Sequence, residues 1–209
     1  MIKISSFINI LKKNNVNFFS GVPDSVLKQL SIYLQKKNKK HHIVASNEGA
    51  AVSIGIGHHL STRKIPCIYM QNSGLSNALN PLISIANEKV YSIPLILIIG
   101  WRGSPHVKDE PQHNTKGKIT LDLLKLLNIK YTIIRKNSDL FKFNKQIKNA
   151  KKNKKIVACL IERGTLEKNK KIEIKKDFYH LDKGLFLKTL LETVKKNTKI
   201  ISSTGYNSR

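Results

Sequence analysis

The sequence predicts an α/β domain built on a doubly wound, mostly parallel sheet with helices on both faces. Three observations predict it. Apolar runs of strand length alternate with segments of helical period from residue 4 to residue 161. The runs at 65–70, 93–100 and 155–161 are mostly continuous rather than alternating, as strands are when both sheet faces are covered. The polar constellations also follow strands: Asp24, Glu48, Asn72 with Ser73, Trp101 with Arg102, and the loop that carries His113. In an open α/β sheet that places them along one edge, where ligands bind.

Each element has its own signal. Residues 4–14 read as a helix, with Phe7, Ile8, Ile10 and Leu11 apolar on nearby turns. Residues 16–22 form a short strand ending at Gly21-Val22-Pro23. Asp24 and Ser25 then open a helix through Leu34, with Asp24 as its cap. Ile43, Val44 and Ala45 read as a buried strand, followed by the turn Ser46-Asn47 and by Glu48. A carboxylate suits the first turn of a helix. Gly49, Ala50, Ala51, Ser53, Gly55 and Gly57 make that helix one from which large side chains are excluded by close packing.

After the strand at 65–70, Asn72, Ser73 and Gly74 turn the chain into a helix toward Asn87. Pro81 inside it predicts a kink or two short helices. The strand at 93–100 leads into a polar loop that extends to about Lys118, and loops of that length are seldom passive connections. A helix at 121–127, a strand at 130–134, a helix at 139–150 and a strand at 155–161 complete a first domain, residues 1–163. Residues 164–181 are charged, lack a period and read as a linker. A helix at 184–195 and a strand at 199–203 read as the start of a second domain, 182–209, cut short.

Composition narrows the partners. The net charge is +25, but the lysine clusters fall between periodic segments beside asparagine, without interleaved aromatics, and arginine is scarce. That distribution describes solvated faces, so no nucleic-acid partner is expected. No apolar stretch approaches the ~20 residues of a membrane span, and the N-terminus reads as a first helix, not a signal peptide. Cys67 and Cys159 lie in apolar runs and read as reduced core residues of a cytoplasmic protein. No Cys/His spacing suggests a metal site. His41, His42, His58 and His59 read as structural.

No P-loop, dinucleotide fingerprint or nucleophile elbow is present. A carboxylate facing small apolar residues, as Glu48 does, has reason to share a proton, which suits an acid–base partner of a ring nitrogen. Five separated motifs then carry a resemblance: GVPDS (21–25), NEGAAV (47–52), YMQNSGLSNALNPL (69–82), YSIPLILIIGWRG (91–103) and KDEPQH (108–113). In order and spacing they resemble the thiamine-diphosphate-dependent phosphonopyruvate decarboxylases, a family related to sulfopyruvate decarboxylase. The resemblance is close over residues 18–117 and looser over 118–161.

The resemblance implies the pyrimidine domain of the thiamine-diphosphate-binding fold. In that family a second domain holds the diphosphate and Mg²⁺ through a GDG…N motif. Cofactor sites form between the first domain of one subunit and the second domain of another. This sequence contains no GDG…N, although SSTGYNSR (202–209) resembles the opening of that second domain. A homo-oligomer, or a partner chain bearing the diphosphate-binding domain, is therefore implied.

By the same resemblance Glu48 hydrogen-bonds the pyrimidine N1′, and Asp24 and His113 serve proton transfer near the substrate. Gln71, Asn72 and Ser73 line the cofactor pocket, and Arg102 and Lys108 meet the anionic head group. The implied reaction converts phosphonopyruvate, a small 2-oxo acid, to phosphonoacetaldehyde and CO₂ in phosphonate biosynthesis. The alternatives are an α-type subunit of sulfopyruvate decarboxylase and a non-catalytic remnant that dimerises through the small-residue helix.

Overall fold

Strand β1 (Phe19–Gly21) is paired on one side with β2 (His42–Val44) and on the other with β3 (Cys67–Gln71). The sheet continues through β4 (Ile96–Gly100), β6 (Val157–Ile161) and β5 (Lys130–Ile134), giving the order β2-β1-β3-β4-β6-β5. All five pairings are parallel. The computed structural model describes residues 1–167 and 182–201. The chain divides into two compact units, Met1–Asn169 and Lys170–Arg209, and the sheet lies in the first.

Helices cover both faces of the sheet, as predicted. On one face α1 (Ile4–Lys13), α2 (Lys28–Gln35) and α6 (Asn137–Asn153) bury Phe7, Leu11, Leu30, Leu34, Phe143 and Ile147. On the other, α3 (Glu48–Thr62), α4 (Leu75–Pro81) and α5 (Pro111–Leu126) bury Val52, Ile56, Leu75, Ala78 and Leu124. The central strands feed both cores: Cys67 and Tyr69 point one way, Ile68 and Met70 the other, and Ile96–Ile99 alternate in the same manner. A strand with two apolar faces has no polar position to spare, hence the continuous apolar runs. Both cysteines are free and buried.

Several elements depart from the sequence reading. The run Ile43-Val44 is a strand, but Ile43 is 37% and Val44 57% exposed. Among the described residues β2 is the sheet's edge and pairs with β1 alone, so its apolar residues are half covered. The helix expected to open at Asp24 begins at Lys28, after a turn over residues 25–27. The helix containing Pro81 is α4 followed by one π-helical turn, Leu82–Ala86, which accommodates the missing proline N–H.

The loop expected to reach Lys118 is shorter. Pro111 starts α5 in its first turn, where a missing N–H costs nothing. The polar residues after it form an exposed helical face, with Gly117, Thr120 and Leu124 the buried side. Of the glycines on α3, Gly49 and Gly55 meet close neighbours (Asn77 O and Ile68), whereas Gly57 faces open space. Of the residues read as linker, 165–167 are bonded to Ile2: Ile2 N–H donates to Thr165 O at 2.8 Å and Glu167 N–H to Ile2 O at 2.9 Å.

In the second unit α7 (Lys183–Thr193) is capped by Asp182, whose side chain accepts from Leu185 N–H at 2.9 Å. Residues 199–201 carry no strand pairing, and the rest of the strand expected at 199–203 lies outside the described residues, as does SSTGYNSR. No described helix is long and apolar enough to cross a membrane.

Candidate active site

The chain leaves β1 toward β2 on one side and returns to β3 on the other, so the strand order reverses at β1. Such a reversal opens a crevice at the carboxyl ends of the strands. Asp24 follows β1, Glu48 follows β2, Gln71, Asn72 and Ser73 end or follow β3, and Arg102 follows β4. The topology thus brings to one edge the segments expected there.

Glu48 is the first residue of α3, where Asn47 caps the helix by accepting from Ala50 N–H at 2.8 Å. Its carboxylate is half-buried and Oε2 accepts from Asn77 Nδ2 at 3.2 Å. The side chain lies flat over Gly74. A Cβ there would fall 2.3–2.4 Å from Glu48 Cγ, Cδ and Oε1. Gly49 also packs closely from the helix side, with Asn77 O 2.9 Å from where a Cβ would stand. Glycine at both positions lets α3 and the turn after β3 meet around the carboxylate. Asn77 carried no role in the sequence reading. It stands three residues beyond Gly74, on the helix that faces Glu48, and only the folded contact reveals it.

Asp24 is 8% exposed. Its Oδ2 accepts from Val26 N–H at 2.9 Å and Leu27 N–H at 3.2 Å, so it caps the turn before α2. Its Oδ1 is buried with no hydrogen-bond partner among the described residues. Burial pushes the carboxyl up from its ordinary value. The N–H donors of Leu27 and Val26 and the charge of Arg102 pull the other way without overcoming burial. An orphaned acidic oxygen whose proton affinity burial raises is suited to proton transfer.

The residues of the β3 turn divide. Gln71 Nε2 donates to Ser73 Oγ at 2.7 Å and both side chains stay partly exposed. Asn72 is buried and its amide faces inward: Nδ2 donates to Arg102 O and Thr120 Oγ1, each at 2.9 Å, and Oδ1 accepts from Arg102 N–H at 3.0 Å. Expected to line a cofactor pocket, its side chain instead braces the loop after β4.

Arg102 is likewise engaged within the chain. It pairs in fork geometry with Asp109, Nε to Oδ2 at 2.7 Å and Nη2 to Oδ1 at 2.6 Å, and Nη1 donates to Ser25 Oγ at 3.2 Å. Asp109 also accepts from the N–H groups of Gly103 and Glu110, each at 2.9 Å. Its carboxyl is held well below the usual carboxylate range, chiefly by Arg102. Lys108 is exposed on the same loop. His113 lies in the first turn of α5, half-buried, rather than on a loop.

A second carboxylate clamp holds this loop from the far side. Glu162, after β6, accepts from Ser104 Oγ at 2.5 Å and from Arg135 Nε and Nη2 at 3.0 and 3.1 Å. Burial favours its neutral form, but those donors prevail and keep it ionised below its ordinary value. The sequence reading gave Asp109, Ser104, Arg135 and Glu162 no role. The one available signal was position: Glu162 closes an apolar run, at the edge where the other polar groups gather.

The Glu48 carboxylate thus lies against Gly74, and Asn77 Nδ2 donates to its Oε2. Among the described residues no group of three or more His, Cys, Asp or Glu is arranged to hold a metal.

A doubly wound parallel sheet with a carboxylate, an orphaned acid and one doubly clamped loop at its carboxyl edge has the form of a ligand-binding α/β domain. Residues 5–126 match the family model described as thiamine pyrophosphate enzyme, N-terminal TPP binding domain, and the chain belongs to that family. It is 34% identical over 139 residues to a phosphonopyruvate decarboxylase of Streptomyces viridochromogenes, a match covering 66% of this chain and 34% of that protein. It is 35% identical over 118 residues to a sulfopyruvate decarboxylase subunit alpha of Methanococcus maripaludis, covering 56% of this chain and 68% of that subunit. The chain therefore spans about a third of the length of the phosphonopyruvate decarboxylases it matches. In fold it is similar to benzoylformate decarboxylase from Polynucleobacter necessarius, with a TM-score of 0.57 at 18% identity over 84% of this chain and 32% of that one.

Proposed function

We propose that this chain is the pyrimidine-binding half of a cytoplasmic, thiamine-diphosphate-dependent decarboxylase that converts phosphonopyruvate to phosphonoacetaldehyde and CO₂ in phosphonate biosynthesis. One observation carries the reading: the Glu48 carboxylate, fixed by Asn77 and laid over Gly74, at the edge where the strand order reverses. When bound, thiamine diphosphate supplies the carbon nucleophile and the electron sink that decarboxylation of a 2-oxo acid needs.

The chain's residues supply position and protons. Glu48 would hydrogen-bond the aminopyrimidine ring nitrogen and share a proton with it, and Gln71 and Ser73 would border it from the turn after β3. Asp24 gives or takes a proton at Oδ1, and His113, from α5, is a second proton-transfer group near the substrate. Asn72 and Arg102 brace the site from within. Lys108, exposed on the loop after β4, meets the anionic head group. The diphosphate and Mg²⁺ are held by a second domain bearing GDG…N, from another subunit or a partner chain. The high positive charge assists by steering an anionic substrate.

A second reading is an α-type subunit of a sulfopyruvate decarboxylase with a separate β-type partner, supported by 35% identity over 118 residues to one such subunit. The deciding measurement is decarboxylation of each 2-oxo acid with thiamine diphosphate and Mg²⁺, by the chain alone and with a candidate partner. Glu48→Gln is expected to abolish turnover and leave oligomeric state intact. Absence of turnover in every combination, with no binding of thiamine diphosphate, refutes the enzyme reading.

A further inference from the structure

Arg102 stands where three segments of the crevice meet. Its guanidinium reaches Ser25, next to Asp24, and forks onto Asp109, whose carboxylate also holds Gly103 N–H. Its backbone N–H and C=O are both bound by Asn72, in the turn that runs on to Gly74, against which Glu48 lies. Beyond it Gly103, at φ +68°, lies against the backbone of α5. A Cβ on Gly103 would fall 1.9 Å from His113 O. The strand before it is as tight on the other side, since a Cβ on Gly100 would fall 2.1 Å from Asp24 Oδ2. Both partners of the fork are largely sheltered, at 16% and 4% side-chain exposure, where such a pair holds its geometry.

We propose that Arg102 and Asp109 form a positioning pair: together they tie the Asp24 turn to the loop that sets the start of α5, fixing Asp24 and His113 relative to each other. Arg102 is thereby a positioning residue rather than a ligand for the substrate's head group. The inference rests on the reading of Asp24 and His113 as proton-transfer groups, although the ties themselves do not. The pair also has an electrostatic role. Asp24 faces the N–H groups of Val26 and Leu27 from its own turn, backbone at Gly100, and the charge of Arg102 from the loop. Asp109 offsets that charge, so the pull of Arg102 on the Asp24 carboxyl is weakened.

Two measurements on the chain without cofactor or substrate test this. Carbon-detected NMR follows the titration of Asp24 in wild type, Arg102→Gln, Arg102→Lys and Asp109→Asn. Loss of the Arg102 charge moves the Asp24 midpoint up. Loss of the Asp109 charge, which leaves Arg102 unopposed, moves it down. Arg102→Lys retains the charge and stays near wild type. A merely structural role does not produce opposite signs.

Hydrogen exchange at Val26, Leu27 and Gly103 is expected to quicken together in Arg102→Gln, about ten- to hundredfold, as when one charge-assisted tie is lost. Trp101 fluorescence verifies folding, and if Arg102→Gln unfolds, the two conservative variants carry the test through the sign of the titration. An Asp24 midpoint unmoved in all variants, or faster exchange confined to residues 102–110, overturns the proposal. Neither readout involves catalysis, so a negative result refutes the pair and leaves the decarboxylase reading to the Glu48→Gln assay.

Discussion

Asn72→Ala measures how firmly the crevice is braced. The native amide makes three hydrogen bonds at 2.9–3.0 Å to partners 30 and 48 residues away, and the side chain is 5% exposed. Each such bond contributes about 1 kcal/mol net, and the substitution strands the Arg102 N–H and C=O in a site water reaches poorly. The expected loss is about 3 kcal/mol or slightly more. For a unit of this size that corresponds to a fall of roughly 6–12 °C in Tm.

Urea unfolding followed by tryptophan fluorescence is the natural assay. Trp101 is the chain's one tryptophan and neighbours the brace, donating from Nε1 to Gly117 O at 2.9 Å. The transition midpoint should fall while the slope stays unchanged. A loss below about 1 kcal/mol would mean that water replaces the amide, and that Asn72 faces the crevice as first expected.

Gly74→Ala should separate the position of Glu48 from stability. The new Cβ meets Glu48 Cγ and Cδ at 2.3–2.4 Å, but the half-exposed side chain can turn away. Stability then falls by about 1 kcal/mol, while thiamine diphosphate binding, measured calorimetrically with the diphosphate-binding partner, is lost; retained binding would refute the assigned geometry. Acid unfolding should report Asp109. Its folded-state affinity for a proton lies below that of an unfolded carboxylate, so its stabilisation is complete above the unfolded value of about 3.9 and is lost as pH falls. The wild-type urea midpoint should drop as pH falls below about 5, and Asp109→Asn should show a flatter drop from a lower start. Equal acid slopes in both proteins would show that the ion pair carries no pH-dependent stability.

The exposed edge strand illustrates how far composition reads. Ile43 and Val44 have the chemistry of buried strand residues, and nothing in their neighbourhood in sequence distinguishes them from Ile98 and Ile99. Their place beside β1 alone leaves them exposed. The loop after β4 illustrates the reverse. Its length marked it as functional, yet Pro111 already signalled where the helix starts, and the polar residues that followed it disguised an exposed helical face as loop.

The sequence by itself determined what depends on neighbours along the chain. Continuous apolar runs required a sheet covered on both faces, Glu48 fell at the first turn of a helix, and the family motifs lay in order with their spacing intact. Tertiary structure decided how the polar groups at the sheet edge are used. Asn72 turns inward to Arg102 and Thr120, Arg102 forks onto Asp109 and reaches Ser25, and Glu162 holds Ser104 and Arg135. Apolar periodicity is legible because each position repeats its burial every two or 3.6 residues. A hydrogen-bond partner has no such period, and is set by which loops the sheet order brings together.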